Sequence, residues 1–183
     1  KETHITHDQF DPGAFGDPLR EATGEECDFD SLGGTETHST KSGVCHFVAN
    51  SEPDCFRQIQ ELFEFLPQNC FEPAKAKPCS DDPNRESAVL DRIARQEAKR
   101  PYSAHDVIRE VADDKSFLEV HAGFARNIVV GFIRLGGRPV GVVANNPSHL
   151  SGALDIAASE KGARFVRCCD AFNIPLLTLV DVP

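Results

Sequence analysis

Apolar residues in this 183-residue chain gather into a few blocks, and the spacing within each block predicts its structure. The clearest block is Asn127–Pro147, "NIVVGFIRLGGRPVGVVANNP". Two runs rich in β-branched residues flank Gly136 and Gly137, which supply the positive φ angles of a primed hairpin turn. Both runs are nearly continuous in apolar character, which predicts strands in a sheet covered on both faces. After "SHLSGALD" comes "IAASEKGARFVRCCDAFN", where Ile156, Ala163, Phe165, Val166 and Cys169 fall at mixed helical spacings. The small residues Ala157, Ala158, Gly162 and Ala163 permit close approach to a sheet. Asn173 and Pro175 stop this helix, and "IPLLTLVDV" reads as a third strand. The second and third strands with the helix between them form a βαβ unit, hence a parallel pair with a right-handed crossover.

Upstream, "SEPDCFRQIQELFEFLPQN" reads as a helix capped by Ser51, with Pro53 in its first turn and Pro67 ending it. Phe56, Ile59, Leu62, Phe63 and Leu66 form its apolar face, and it carries no evident chemistry. Cys70–Pro101 is Pro-rich and charged and reads as a connection between two compact units, with a boundary near residue 98. It holds a short amphipathic stretch at Val89–Ile93. "KRPYSAHDVIREVADDKSF" opens another helix, capped by Ser103, with Val107, Ile108 and Val111 facing inward. Residues 1–32 read as loop. "LGGTETHSTKSG" (Leu32–Gly43) reads as a surface turn; its amides could meet an anion, but its spacing is not that of a phosphate-binding loop.

Composition narrows the function classes. An apolar fraction of 40% and a charged fraction of 26% are globular values. No apolar run approaches the ~20 residues that span a membrane. The first ten residues lack the apolar core of a secretory signal, so a cytoplasmic location is expected. The net charge of -10 argues against nucleic-acid binding. The charge is uneven: residues 1–114 carry -12 and residues 115–183 carry +2, so the C-terminal part tolerates an anionic ligand better. The seven cysteines contain no C-x-x-C pair and read as reduced thiols. A catalytic cysteine would need a base that sequence does not show. His4 and His7 lack further ligands in pattern, so no metal site is expected.

In a βαβ unit, ligands meet the carboxyl ends of strands and the helix N-terminus. Here those places are Ala144–Pro147, Ser151–Asp155 and Val180–Pro183. Many such units bind nothing, so loop and cap roles for the same residues stay open.

"AGFARNIVVGFIRLGGRPVGVVANNP", followed by "SGALDIAASEKGARFVRCCDAFNIPLLTLVDVP", closely resembles the β-type carboxyltransferase subunit of biotin-dependent acyl-CoA carboxylases, the propionyl-CoA enzymes in particular. The resemblance extends upstream through "KRPYSAHDVIREV" and "LGGTETHSTKSGVCHF", covering roughly Ala22–Pro183. It implies an α/β fold of crotonase-like domains. Residues 1–69 would then be the end of a first carboxyltransferase domain, 70–98 a connector, and 99–183 the start of a second. The implied reaction moves a carboxyl group from carboxybiotin to the α-carbon of a short-chain acyl-CoA such as propionyl-CoA or acetyl-CoA. Biotin is carried on a partner protein. The implied partners are the biotin carboxylase and biotin carboxyl carrier subunits. The implied assembly is a homo-hexamer with each active site between two subunits, cytoplasmic or, in a eukaryote, in the mitochondrial matrix.

Two developing oxyanions, on the thioester and on the biotin ureido group, call for two sets of backbone N–H donors. In the family the corresponding glycine pair lies upstream of Leu32 and the Gly-Ala pair beyond Pro183, so no catalytic residue is transferred to this chain. What the resemblance leaves is a second-domain shell: Asn145, Asn146 and Pro147 at a strand end, and Ser151, Gly152 and Ala153 leading into the helix, expected to border the biotin side. A transcarboxylase or decarboxylase subunit, or a shortened non-catalytic assembly module, would carry the same motifs.

Overall fold

The computed structural model describes residues 24, 29–95 and 102–181. Its elements in chain order are α1 (Phe29–Gly33), a π-helical turn (Thr37–Lys41), α2 (Glu52–Phe65), α3 (Ala88–Arg95), α4 (Ala104–Val111), β1 (Leu118–Val120), β2 (Ile128–Leu135), β3 (Arg138–Asn145), α5 (Ile156–Ala171) and β4 (Leu176–Leu179). The two apolar runs of the opening block are β2 and β3, paired antiparallel from Ile128↔Asn145 to Leu135↔Arg138. Gly136 and Gly137 turn between them with φ of 58° and 77°, as a primed two-residue turn requires. β4 lies parallel to β3, so the βαβ reading holds. The sheet order is β1-β2-β3-β4.

Seven of the eight residues of β2 are buried, because the sheet is covered on both sides. On one face Ile128, Val130 and Phe132 pack with Phe65 of α2 and with Ala158, Phe165 and Cys169 of α5. On the other, Val129, Ile133, Val140, Val142 and Ala144 pack with Ala104, Ile108 and Ala112 at α4. Helix caps form where the sequence placed them: Ser51 Oγ accepts from Asp54 N at 3.3 Å, and Ser103 Oγ from His105 N at 3.3 Å. The stretch at Val89–Ile93 is helical within α3.

Several expectations are corrected. β1 was not foreseen: three residues are too few for a period to register, and pairing with β2 makes them a strand. Leu32–Gly43 is largely helical turns rather than a simple surface turn, with Thr37 Oγ1 donating to Ser31 O at 3.0 Å. The expected inner face of α2 is largely outside: Phe63 is 69% exposed and Phe56 57%, whereas Phe65 is buried. On α5 the buried stripe is Ala158, Lys161, Gly162, Phe165 and Cys169, while Ile156, Ala163 and Val166 are exposed. His4, His7 and the expected boundary near residue 98 lie outside the described residues.

The connecting segment is docked on the hairpin. Lys77 N donates to Gly137 O at 2.9 Å, and a Cβ on Gly137 would lie 2.0 Å from Lys77 O. Asp113 accepts from the amides of Gly136 and Gly137 at 3.0 and 2.7 Å. The buried Arg134 guanidinium donates to Glu64 O at 2.6 Å, Gly137 O at 2.9 Å and Lys75 O at 3.2 Å. It also sits 4.8 Å from the centroid of the Phe65 ring. One side chain thus joins α2, the connecting segment and the hairpin.

The loop after β1 meets residues near Gly43 in a second junction. His121 N donates to His46 O at 2.9 Å, the two imidazoles lie 4.0 Å apart, and Arg164 donates to Gly43 O at 2.7 Å. Burial pushes the His121 ring from 6.5 down to about 4, helped by the charges of His46, Lys161 and Arg164 and opposed by the Gly43 carbonyl.

Two outcomes are expected. Arg134→Met removes this donor from the Glu64 and Lys75 carbonyls and leaves Gly137 O with Lys77 N alone, and should cost about 3 kcal/mol in urea unfolding; a loss below about 1 kcal/mol would refute the joining role. For His121, the unfolded chain takes up a proton near pH 6.5 while the native chain resists until about pH 4. Its contribution is therefore fully present above pH 6.5 and lost as pH falls toward 4, in all ~3 kcal/mol. His121→Phe should flatten the stability profile in that window, and an unchanged slope would show that other groups set it.

Candidate functional site

β3 ends at Asn145, and the chain then runs through a short loop to the start of α5. Asn145 Nδ2 donates to Gly152 O at 2.8 Å, tying the strand end to the loop. Asn146 is only 2% exposed, and all its polar groups are engaged. Its Nδ2 donates to Arg126 O at 2.9 Å, and its Oδ1 accepts from Ser148 Oγ at 2.8 Å and Ala104 N at 3.2 Å. Its backbone N donates to Asn127 O at 2.9 Å. Pro147 is half-buried beside it.

The loop then holds three successive left-handed residues: Leu150, Ser151 and Gly152, with φ of 49°, 52° and 75°. This is strained for Leu and Ser. Gly152 is buried, and a Cβ there would meet Asp181 O at 2.8 Å. The loop is pinned from below. Asn127 Nδ2 donates to Ala153 O at 2.8 Å and to Asp155 Oδ1 at 3.3 Å. Asp155 caps α5 by accepting from Ala158 N at 2.8 Å. That amide, with Asn127, holds the Asp155 carboxyl below the usual carboxylate range. Tyr102 donates to Asp181 Oδ2 at 2.8 Å; burial and that carboxylate push its hydroxyl up to about 12.

The structure therefore brings together the strand end, the start of the helix and the end of β4. Within this cluster Asn146 and Gly152 are internal supports. Ser151 and Ala153 face solvent, and Asn145 and Pro147 are partly covered. Leu150, Leu154, Ile156 and Val180 add exposed apolar side chains to this end of the sheet. What the surface offers is backbone, small residues and an apolar rim. Asp155 closes the expected stretch Ser151–Asp155, whereas Asn127 and Lys161 escaped the sequence reading. Lys161 was discoverable, since it lies at i+3 from Ala158 and i−4 from Phe165 on the apolar stripe of α5.

Among the described residues, Cys45, Cys55, Cys70, Cys79, Cys168 and Cys169 are free thiols. Burial pushes Cys169 up to about 12, which removes it as a nucleophile at neutral pH. Among the described residues no group of three or more His, Cys, Asp or Glu could hold a metal ion, and no helix is long and apolar enough to cross a membrane.

The carboxyl transferase domain family matches residues 16–183. The propionyl-CoA carboxylase carboxyltransferase subunit of Haloferax mediterranei is 50% identical over 168 residues, covering 91% of this chain and 32% of that protein. The biotin-dependent acetyl-/propionyl-coenzyme A carboxylase beta5 subunit of Mycobacterium tuberculosis is 48% identical over 174 residues, with the same shares. Among solved structures, the transcarboxylase 12S hexamer with methylmalonyl-coenzyme A bound superposes with a TM-score of 0.87 at 44% identity, covering 92% of this chain and 33% of that one. The chain thus spans about a third of the length of these relatives, and its α/β architecture is crotonase-like. By the extent of the family match and the identity to these subunits, the chain belongs to the carboxyl transferase domain family.

Proposed function

We propose that this chain forms part of the carboxyltransferase component of a biotin-dependent acyl-CoA carboxylase. In this reading a carboxyl group passes from carboxybiotin to the α-carbon of a short-chain acyl-CoA such as propionyl-CoA or acetyl-CoA. The observation that carries it is the match over residues 16–183 together with 50% identity to a propionyl-CoA carboxylase subunit. The biotin carboxylase and the biotin carboxyl carrier are the partners this reading requires, and a hexamer is the expected assembly. The transcarboxylase 12S structure, at 44% identity, favours a second reading in which the carboxyl donor is another acyl-CoA or acid.

The site residues support a role on the biotin side. The bicyclic ring of biotin is neutral and compact, and the apolar rim of Leu150, Leu154 and Ile156 beside Ser151 and Ala153 suits it. When bound, carboxybiotin would supply the carboxyl group and leave as biotin. This chain's residues bind and orient: Asn145 holds Gly152, Asn127 holds Ala153, and the small side chains leave room for close approach. In this reading Ser151, Ala153, Asn145 and Pro147 border the ligand, and Asn146 and Gly152 shape the backbone beneath it.

That division changes which substitution is informative. A bulky residue at Gly152 would clash with Asp181 O and adopt a disfavoured φ, so it should damage folding as well as turnover. Ala153 is exposed, with an ordinary φ of -67°. In the full-length native polypeptide assembled with its biotin-bearing partners, Ala153→Phe should lower carboxyl transfer roughly 100-fold with little change in Tm. The readout is incorporation of labelled bicarbonate into propionyl-CoA or acetyl-CoA with ATP present. A fully active Ala153→Phe protein would remove this surface from the site. No ATP-dependent incorporation by the wild type, with carboxyl exchange between acyl-CoAs instead, would establish the second reading.

A further inference from the structure

Lys161 is a charged residue on the buried stripe of α5 and is only 1% exposed. Its ammonium donates to Phe124 O at 2.7 Å, Ile128 O at 2.9 Å and His121 O at 3.0 Å, with Ala125 O at 3.4 Å. An ammonium has three protons, so this set uses all of them. Three of these carbonyls belong to the link between β1 and β2, and the fourth, Ile128 O, to the first residue of β2. That loop is strained: His121 and Ala125 are left-handed, with φ of 56° and 43°. Non-glycine residues persist there only when the surroundings over-determine them.

The same loop ends in Arg126 and Asn127, which reach the candidate site. Arg126 O accepts from Asn146 Nδ2 at 2.9 Å, and Asn127 O accepts from Asn146 N at 2.9 Å. Asn127 Nδ2 holds Ala153 O and the helix cap Asp155. Lys161 is therefore linked to both halves of the site by its hydrogen bonds to residues 121–128, by the short backbone between them and Arg126–Asn127, and by the hydrogen bonds those two residues make.

We propose that Lys161 is a positioning residue for carboxyl transfer, whose ammonium gathers the loop carbonyls and so sets the relative placement of the β3 end and the α5 start. The inference rests on the function proposed above. Lys161 touches no substrate in this arrangement and acts only through Arg126 and Asn127. A buried cation is a poor means of gaining stability alone, because an apolar side chain of similar volume often serves as well. What an apolar chain does not do is converge four carbonyls on one point. Burial lowers the ammonium to about 8, with the Glu119 carboxylate opposing, so the charged donor prevails at neutral pH.

The test is Lys161→Met in the full-length native polypeptide, assembled with its partners and assayed for carboxyl transfer. Methionine fills the space of the stem without donating. The expected result is a KM for the carboxylated carrier raised roughly tenfold while the KM for acyl-CoA stays within about twofold, with an unchanged circular dichroism spectrum. Amide exchange over residues 145–155 should accelerate. Lys161→Arg should not restore the wild-type KM, since a planar fork cannot meet the same four carbonyls. If Lys161→Met does not fold, Asn127→Ser cuts the same chain one step nearer the site and should give the same split.

Both KM values unchanged, with Vmax falling only in proportion to folded protein, would overturn the proposal. So would failure of both variants to fold, which would make Lys161 a folding residue. Wild-type protein without any carboxyl transfer would instead defeat the functional reading. Amide exchange in the folded variant would then decide the positioning role alone, unchanged rates over residues 145–155 overturning it.

Discussion

Backbone carbonyls that leave a sheet inside a protein still need donors, and this constraint organises the molecule. The sheet is covered on both faces, so the segments at its ends cannot turn to water. Two buried cations supply what the ladder does not. Arg134 projects from β2 and collects carbonyls from α2, the connecting segment and the hairpin turn. Lys161 projects from α5 and collects the carbonyls of the loop that leads into β2 and of Ile128, which opens that strand. Each charge is buried yet engaged, and each joins segments far apart in sequence.

The candidate site lies downstream of the second of these clamps. Its outer surface consists of small or apolar residues, with little side-chain chemistry of its own. Its precision comes from beneath, where Asn127, Asn146 and Asp155 use their polar groups to hold backbone. A surface of this kind is suited to orienting a ligand with backbone and shape. That suits the carboxyl transfer proposed above, whose demands are electrostatic donors and close approach rather than an acid or a base. The three left-handed residues at Leu150–Gly152 show that the backbone, more than any side chain, is what has been shaped there.

The His46–His121 junction and the docked connecting segment give the same lesson for the rest of the fold. Residues 43–46 and 64–77 are tied to the β1–β2 loop and the hairpin by single hydrogen bonds and a pair of imidazoles in contact, not by a shared ladder. The Pro-rich stretch that reads as a connection between two compact units is seated against Gly137, where only a missing side chain makes room. The exposed Phe56 and Phe63 on α2 follow from the same cause: that helix meets the core through Phe65, whose ring lies under the Arg134 guanidinium.

By itself the sequence determined the elements whose signals are local. The β-branched runs, the Gly136–Gly137 turn, the caps at Ser51 and Ser103 and the order hairpin, helix, strand all rest on neighbours a few residues apart, and all are present. The family was legible for the same reason, since long motifs stand in order along the chain. Tertiary structure alone decided the rest: the strand Leu118–Val120, the face α2 buries, the seat of the connecting segment, and the division of the site into internal supports and outer surface. Asn146 and Ser151 look alike in sequence as polar loop residues; one is buried with every hydrogen bond made and the other faces solvent. Which is which depends on carbonyls and amides brought together from residues 102–181. Periodicity along the chain carries no record of such contacts, because it measures which way a residue points and not what it will meet.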